Sequence, residues 1–277
     1  MEINIVIDIK NYFRHYDKEP LLFHTKNHNH ILSSTTLCFD FGNTRLKCGV
    51  FVIDQLTEVI QMKDSSTKTI EDLLNQYKPE CTILSSVIDH NEEIEKVLAG
   101  KSFFTQLNAS TKLPFTTPVS KPETIGADRL ALAAFAVSNY NGQNNLVIAL
   151  GSCITYNFIN KYNSFNGGSI SPGMEMRFKS LNAFTAKLPL IKADWNFPLI
   201  GYDTNTNILS GVLLGMAAEI DGIINEYKEK FEKFNVLLTG GDTANFVRHL
   251  KNKIFADPYL ILKGLYAISK YNHDSKI

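Results

Sequence analysis

Apolar positions in this chain fall in short runs bounded by glycine, proline or polar clusters. Residues 37–39 and 48–53 are two such runs, joined by a polar turn with glycine inside, which is a β-hairpin pattern. Apolar positions over 50–59 continue that sheet, 70–77 reads as a helix and 81–87 as a buried strand. A helix with a charged outer face is expected at 90–98, a short strand at 103–107, a polar stretch at 108–120 and an apolar helix at 130–138. A second hairpin pattern follows: apolar 146–150, a Gly-Ser turn, and apolar 153–159. Beyond it lie a Gly- and Pro-dense connection at 167–173 and helices at 174–184 and 206–231. Ile208, Val212, Leu213, Met216 and Ile220 fall at helical spacing in the last of these. A strand at 235–238 runs through Thr239 into Gly240-Gly241-Asp242, with Asp242 placed as a helix N-cap, and a turn and helix close the pattern at 258–265. Ahead of all this, Ile3, Ile5, Ile7 and Ile9 alternate with polar residues as in a strand.

The bend of the first hairpin gathers chemistry. Asp40 ends a buried strand, where a carboxylate is costly unless a metal, a proton or a hydrogen bond compensates it. Gly42, Asn43 and Thr44 offer successive backbone N–H groups and a hydroxyl, an anion-binding concavity. Lys47 lies two residues beyond Arg45, on the same face by the period of a strand. A carboxylate, phosphate donors and a cation together suit a nucleoside triphosphate with Mg²⁺. The second hairpin, with Gly151 and Ser152 at its bend, repeats the shape, and internal repetition points to a duplicated architecture.

Composition narrows the field. The 277 residues are ample for a buried core. Lys+Arg and Asp+Glu stand at 28 each, which gives no electrostatic reason to expect nucleic acid or an anionic membrane as partner. Apolar runs such as 130–137 fall short of the roughly 18 residues of a membrane-spanning helix. Cys38, Cys48, Cys81 and Cys153 sit in apolar runs without metal-ligand spacing, as expected of buried free thiols in a reducing cytoplasm. His24, His28 and His30 lie in a polar stretch read as exposed loop, and the start of the chain lacks the features of a signal peptide. After Met1 the next methionine is Met62, beyond the first hairpin.

Taken in order, Asp40-Phe41-Gly42-Asn43-Thr44-Arg45-Leu46-Lys47, Gly126-Ala127-Asp128-Arg129, Gly151-Ser152, Gly167 to Gly173, Thr185 to Pro189 and Gly240-Gly241-Asp242 give a chain that closely resembles the type III pantothenate kinases. The resemblance covers most of the sequence beyond residue 36. It implies an α/β fold: a duplicated, actin-like (ribonuclease H-like) pair of lobes with nucleotide in the cleft between them. Residues 1–36 then form an extension outside the match, 37–121 the first lobe, and 122–277 a second lobe carrying dimer and substrate elements.

The implied activity is ATP-dependent phosphorylation of pantothenate, the first step of coenzyme A synthesis, by a cytoplasmic homodimer. Asp128 would be the general base for the pantothenate hydroxyl, with Gly126, Ala127, Arg129 and Thr185 contacting pantothenate. Arg129 either pairs with the substrate carboxylate or braces Asp128. Residues Asp40 to Lys47 and Ser152 would bind ATP, and Asp40 would hold Mg²⁺ through water. The family also implies a monovalent cation, K⁺ or NH₄⁺, on an aspartate where this chain has Ala149. Asn157 replaces another common aspartate, Val119 a substrate-side tyrosine, and Ser152 a threonine. These departures motivate an alternative, a catalytically impaired nucleotide-binding regulatory or accessory protein of the same fold. A sugar or acid kinase would fit the hairpins equally well but not the 126–129 and 185–189 motifs.

Overall fold

The structure, a computed structural model, describes residues 6–7, 34–108 and 110–275. The chain forms two compact units, each with one mixed sheet. A two-residue strand β1 (Val6–Ile7) belongs to the second of them. Ile7 of the alternating leader therefore falls in a strand, whereas Ile3, Ile5, Ile9 and the three histidines lie outside the described residues.

The first unit is built on β2 (Thr35–Phe41), β3 (Leu46–Val52), β4 (Gln55–Met62), β5 (Cys81–Ser86) and β6 (Phe103–Gln106), ordered β4-β3-β2-β5-β6. The first three strands form an antiparallel meander, and β5 and β6 add in parallel after the crossover helices α1 (Thr67–Tyr77) and α2 (Glu93–Lys101). The apolar run at 50–59 is thus two strands, separated by a turn in which Ile53 and Asp54 take positive φ. Alternation along β2 sends Leu37, Phe39 and Phe41 into a core with Ile70, Leu73, Ile94 and Leu98 of the two helices. Cys38 and Asp40 consequently face the other side. There, α3 (Ala127–Asn139) and α8 (Leu260–Asp274) pack closely enough that a Cβ on Gly264 would lie 1.8 Å from the Ala131 carbonyl. The stretch 127–139 and the C-terminal helix, expected in the second lobe, therefore belong to the first unit. That helix is also longer than the expected 258–265.

The second unit, residues 6–7 and Tyr140–Tyr259, repeats the plan. Strands β7 (Asn145–Leu150), β8 (Cys153–Ile159) and β9 (Phe165–Pro172) form the meander. Parallel strands β10 (Asn235–Thr239) and β11 (Phe255–Ala256) follow on the other side of β7, and β1 adds beyond β11. The order β9-β8-β7-β10-β11 reproduces the first sheet strand for strand, so the repetition inferred from two hairpins extends to five strands. The Gly-rich segment expected as a connection is strand β9. Its Gly168, at φ +148°, lies where a Cβ would be 1.8 Å from the Tyr156 carbonyl of β8, so close strand pairing accounts for the glycine.

One face of this sheet is covered by α4 (Met174–Ala183) and by a helical run that is not uniform. It comprises α5 (Thr204–Leu209), a π-helical turn (Ser210–Leu214) and α6 (Gly215–Lys230). This run is long and apolar enough by composition to cross a bilayer, contrary to the sequence reading, and half of its apolar window is buried within the protein. Its inward residues, Ile208, Leu213, Met216 and Ile220, meet Leu146, Ile148 and Leu150 of β7.

Candidate active site

In the first unit, Asp40 stands directly opposite Lys47 on β3 and beside Ser85 on β5, all three on one sheet face. Burial pushes the Asp40 carboxyl up to about 6; the Lys47 charge lowers it, and the Asp128 carboxylate raises it again. Burial likewise lowers Lys47, opposed by Asp40 and assisted by the Arg45 charge. The Ser85 hydroxyl is buried without a hydrogen-bond partner, a costly state unless a ligand contacts it. No sequence signal singles out Ser85; only the register of β2 against β5 brings it to Asp40. The Gly42 N–H donates to the Arg45 carbonyl at 3.2 Å, so the turn itself occupies one of the three expected phosphate donors. Asn43, Thr44 and Arg45 are exposed on that turn, Phe41 is buried in the core and Leu46 packs against it. Arg45 precedes β3 rather than sharing its face.

Asp128 enters from the first turn of α3, where the helix dipole favours a carboxylate. Gly126 ends the preceding loop, and its carbonyl accepts from the Arg129 and Leu130 N–H groups at 3.0 and 3.1 Å. A Cβ on Gly126 would lie 2.6 Å from Asp128 Oδ1, so the carboxylate folds back over a position that has no side chain. Burial lowers the pKa of the neighbouring Arg129 and the Asp128 charge raises it. Asp40, Lys47, Asp128 and Arg129 thus gather in one unit. Among the described residues no three His, Cys, Asp or Glu side chains form a metal cage. Asp40 and Asp128, whose charges act on each other, fit the Mg²⁺ habit of taking few protein ligands and completing its shell with water and phosphate oxygens.

In the second unit, Gly151 and Ser152 form the β7–β8 turn, closed by the Gly151 N–H on the Cys153 carbonyl at 3.1 Å. Two further glycines let other backbone meet this turn. A Cβ on Gly173 would lie 2.1 Å from the Gly151 carbonyl, and one on Gly240, at φ +101°, would lie 2.2 Å from that of Leu150. Asp242 starts the short helix α7 (Thr243–Phe246) but makes no side-chain cap; its N–H donates to the Leu150 carbonyl at 3.2 Å. Ala149 lies between Thr155 and Thr239 in the sheet, and the Thr239 hydroxyl is buried without a partner. Ala149 therefore offers no side-chain ligand at the position where the resemblance places the monovalent cation. Asn157 is fully buried and donates to the Val147 carbonyl and the Thr155 hydroxyl at 3.1 and 3.0 Å; an ionised carboxylate could accept from the hydroxyl but could not donate to the carbonyl.

Thr185 lies on an exposed segment after α4, donating to the Leu181 carbonyl at 2.6 Å and accepting from the Leu188 N–H at 3.3 Å. That segment is held to the core by Trp195, edge-on to Phe246, while Phe184, Ile200 and Tyr202 are 87%, 84% and 80% exposed. A groove of about 1900 Å³ opens in the same unit, lined by Asn144, Phe158, Lys161 and Tyr227 among others, but not by Ala149, Ser152 or Thr185.

Two sheets of identical strand order, each opening with a glycine-turned hairpin, make a duplicated, actin-like α/β fold. A crystal structure described as a Baf family transcriptional activator from Campylobacter jejuni shares the fold, with a TM-score of 0.54 at 21% identity over 86% of this chain and 99% of that one. A family model of type III pantothenate kinases matches residues 36–226. The type III pantothenate kinase of Bacteroides fragilis strain YCH46 is 39% identical over 241 residues, covering 86% of this chain and 98% of its own. That of Cytophaga hutchinsonii is 41% identical over 242 residues, covering 85% and 99%. The chain belongs to the type III pantothenate kinase family.

Proposed function

We propose that this protein transfers the γ-phosphoryl group of ATP to the pantothenate hydroxyl, giving 4'-phosphopantothenate for coenzyme A synthesis. The observation that carries this reading is the convergence of Asp40, Lys47 and Asp128 on one sheet end, in a chain whose family match spans 36–226. Asp128 accepts the hydroxyl proton as the oxygen attacks in line; an ionised carboxylate within hydrogen-bond reach serves that step. Lys47 neutralises phosphate charge, the 42–45 turn and Ser152 orient the phosphates, and Arg129 holds the pantothenate carboxylate or braces Asp128. Asp40 would hold Mg²⁺ through water, and the ion would supply positive charge against that of the phosphates.

Gly126, Ala127 and Thr185 would line the pantothenate site. Ala149 gives no side-chain ligand, so no step is assigned to K⁺ or NH₄⁺. The exposed Phe184, Ile200 and Tyr202, all on the segment between α4 and α5, support a homodimer, because exposed large apolar side chains gathered on one surface mark interaction sites. The test is pantothenate-dependent ADP release by the purified protein. Turnover that requires pantothenate supports the reading, and ATP binding without turnover rejects it.

A further inference from the structure

A polar network in the second unit lies apart from the assigned residues. Arg177 of α4 donates through Nε to the Pro172 carbonyl at 2.9 Å and through Nη2 to the Ser171 hydroxyl at 3.0 Å. The same Nη2 pairs with Glu219 of α6, whose other carboxylate oxygen accepts the Tyr156 hydroxyl at 3.1 Å. Tyr156 is buried on β8, and its hydroxyl pKa is raised by burial first and then by the Glu219 charge. A guanidinium pairing with a carboxylate while its Nε–H reaches a carbonyl uses the fixed geometry of the group, which lysine cannot copy.

What the network holds is the end of β9. Ser171 and Pro172 lead into Gly173, whose N–H donates to the Ser152 carbonyl at 3.1 Å and whose Cα is pressed against the Gly151 carbonyl. The Arg177 N–H in turn donates to the Gly173 carbonyl at 3.0 Å. Side chain and backbone of one arginine therefore fix both sides of the glycine on which the Gly151–Ser152 turn rests. We infer that Arg177, held by Glu219 and Tyr156, is a positioning residue for that turn and so for ATP. This rests on the reading that Ser152 contacts the nucleotide.

The test compares wild type, Arg177→Met, Arg177→Lys, Ser171→Ala and the Ser171→Ala/Arg177→Met double variant by steady-state kinetics in both substrates, ATP binding by calorimetry without pantothenate, and thermal melting. Arg177→Met is expected to raise the KM and Kd for ATP by about tenfold or more, with the pantothenate KM within about twofold of wild type. Arg177→Lys should shift ATP affinity in the same direction by less. Ser171→Ala should have a smaller effect that does not add to that of Arg177→Met, since both remove the same contact. A lowered melting temperature with unchanged ATP affinity in Arg177→Lys would mark a merely structural role and overturn the inference. Equal losses for both substrates would overturn it too. If the wild type binds ATP but does not turn over pantothenate, the functional reading fails, and the ATP Kd values of the variants still decide this one.

Discussion

Asp40 and Asp128 give the sharpest expectations at the scale of single residues. Replacing Asp128 by Asn removes the proton acceptor while leaving the turn residues in place. The turnover number should fall by about 10²–10⁴-fold with ATP binding nearly unchanged. Unchanged turnover would remove Asp128 from the mechanism. Asp40 sets a pH dependence. With its carboxyl raised from 3.8 to about 6, it is protonated at lower pH, so kcat/KM for the metal–ATP complex should fall as pH drops through about 6. Its stability linkage runs oppositely. The folded chain holds this proton more tightly than the unfolded chain, so the group's contribution is full below 3.8 and lost as pH rises through about 6. A pH–rate profile of wild type and a melting series on wild type and Asp40→Asn would separate the two. A flat rate profile between pH 5 and 7 would contradict this role.

At the scale of elements, the two hairpins, the buried strand β5 and the helix carrying Asp128 are legible because local pattern decides them. The turn residues, the continuous apolar run and the helix start each need no distant partner. Three elements were not legible, for physical reasons. Strand β9 is rich in glycine because its neighbour's backbone approaches it, and the same glycines read as a connection when that neighbour is out of view. The π-helical turn leaves the apolar spacing of the 204–230 run almost unchanged. The return of α8 to the first sheet is a matter of topology, which no local pattern encodes. Gly264 marks that return: a Cβ there would meet the Ala131 carbonyl at 1.8 Å. Gly264→Ala should destabilise the chain by about 3 kcal/mol or more, because backbone on the facing helix must move. Urea unfolding tests this, and a change below about 0.5 kcal/mol would mean that the helices separate easily.

Across the molecule, Asp40, Lys47 and Asp128 are legible in the sequence and share one unit, whereas Ser85 and the Arg177 network depend on strand register and helix packing. Thr185 sits on a segment whose exposed aromatic and aliphatic side chains suit a self-association surface. Phe184→Asp should shift the protein from dimer toward monomer in analytical ultracentrifugation; a wild type already monomeric at micromolar concentration would reject the dimer. The most direct test of the central claim is ADP release by purified wild type with Mg²⁺ and ATP, with and without pantothenate, in K⁺, NH₄⁺ and Na⁺ buffers. The account predicts turnover that requires pantothenate and proceeds alike in all three, because Ala149 leaves no carboxylate for a monovalent ion. Bound ATP with no pantothenate-dependent turnover in any buffer would contradict the kinase assignment.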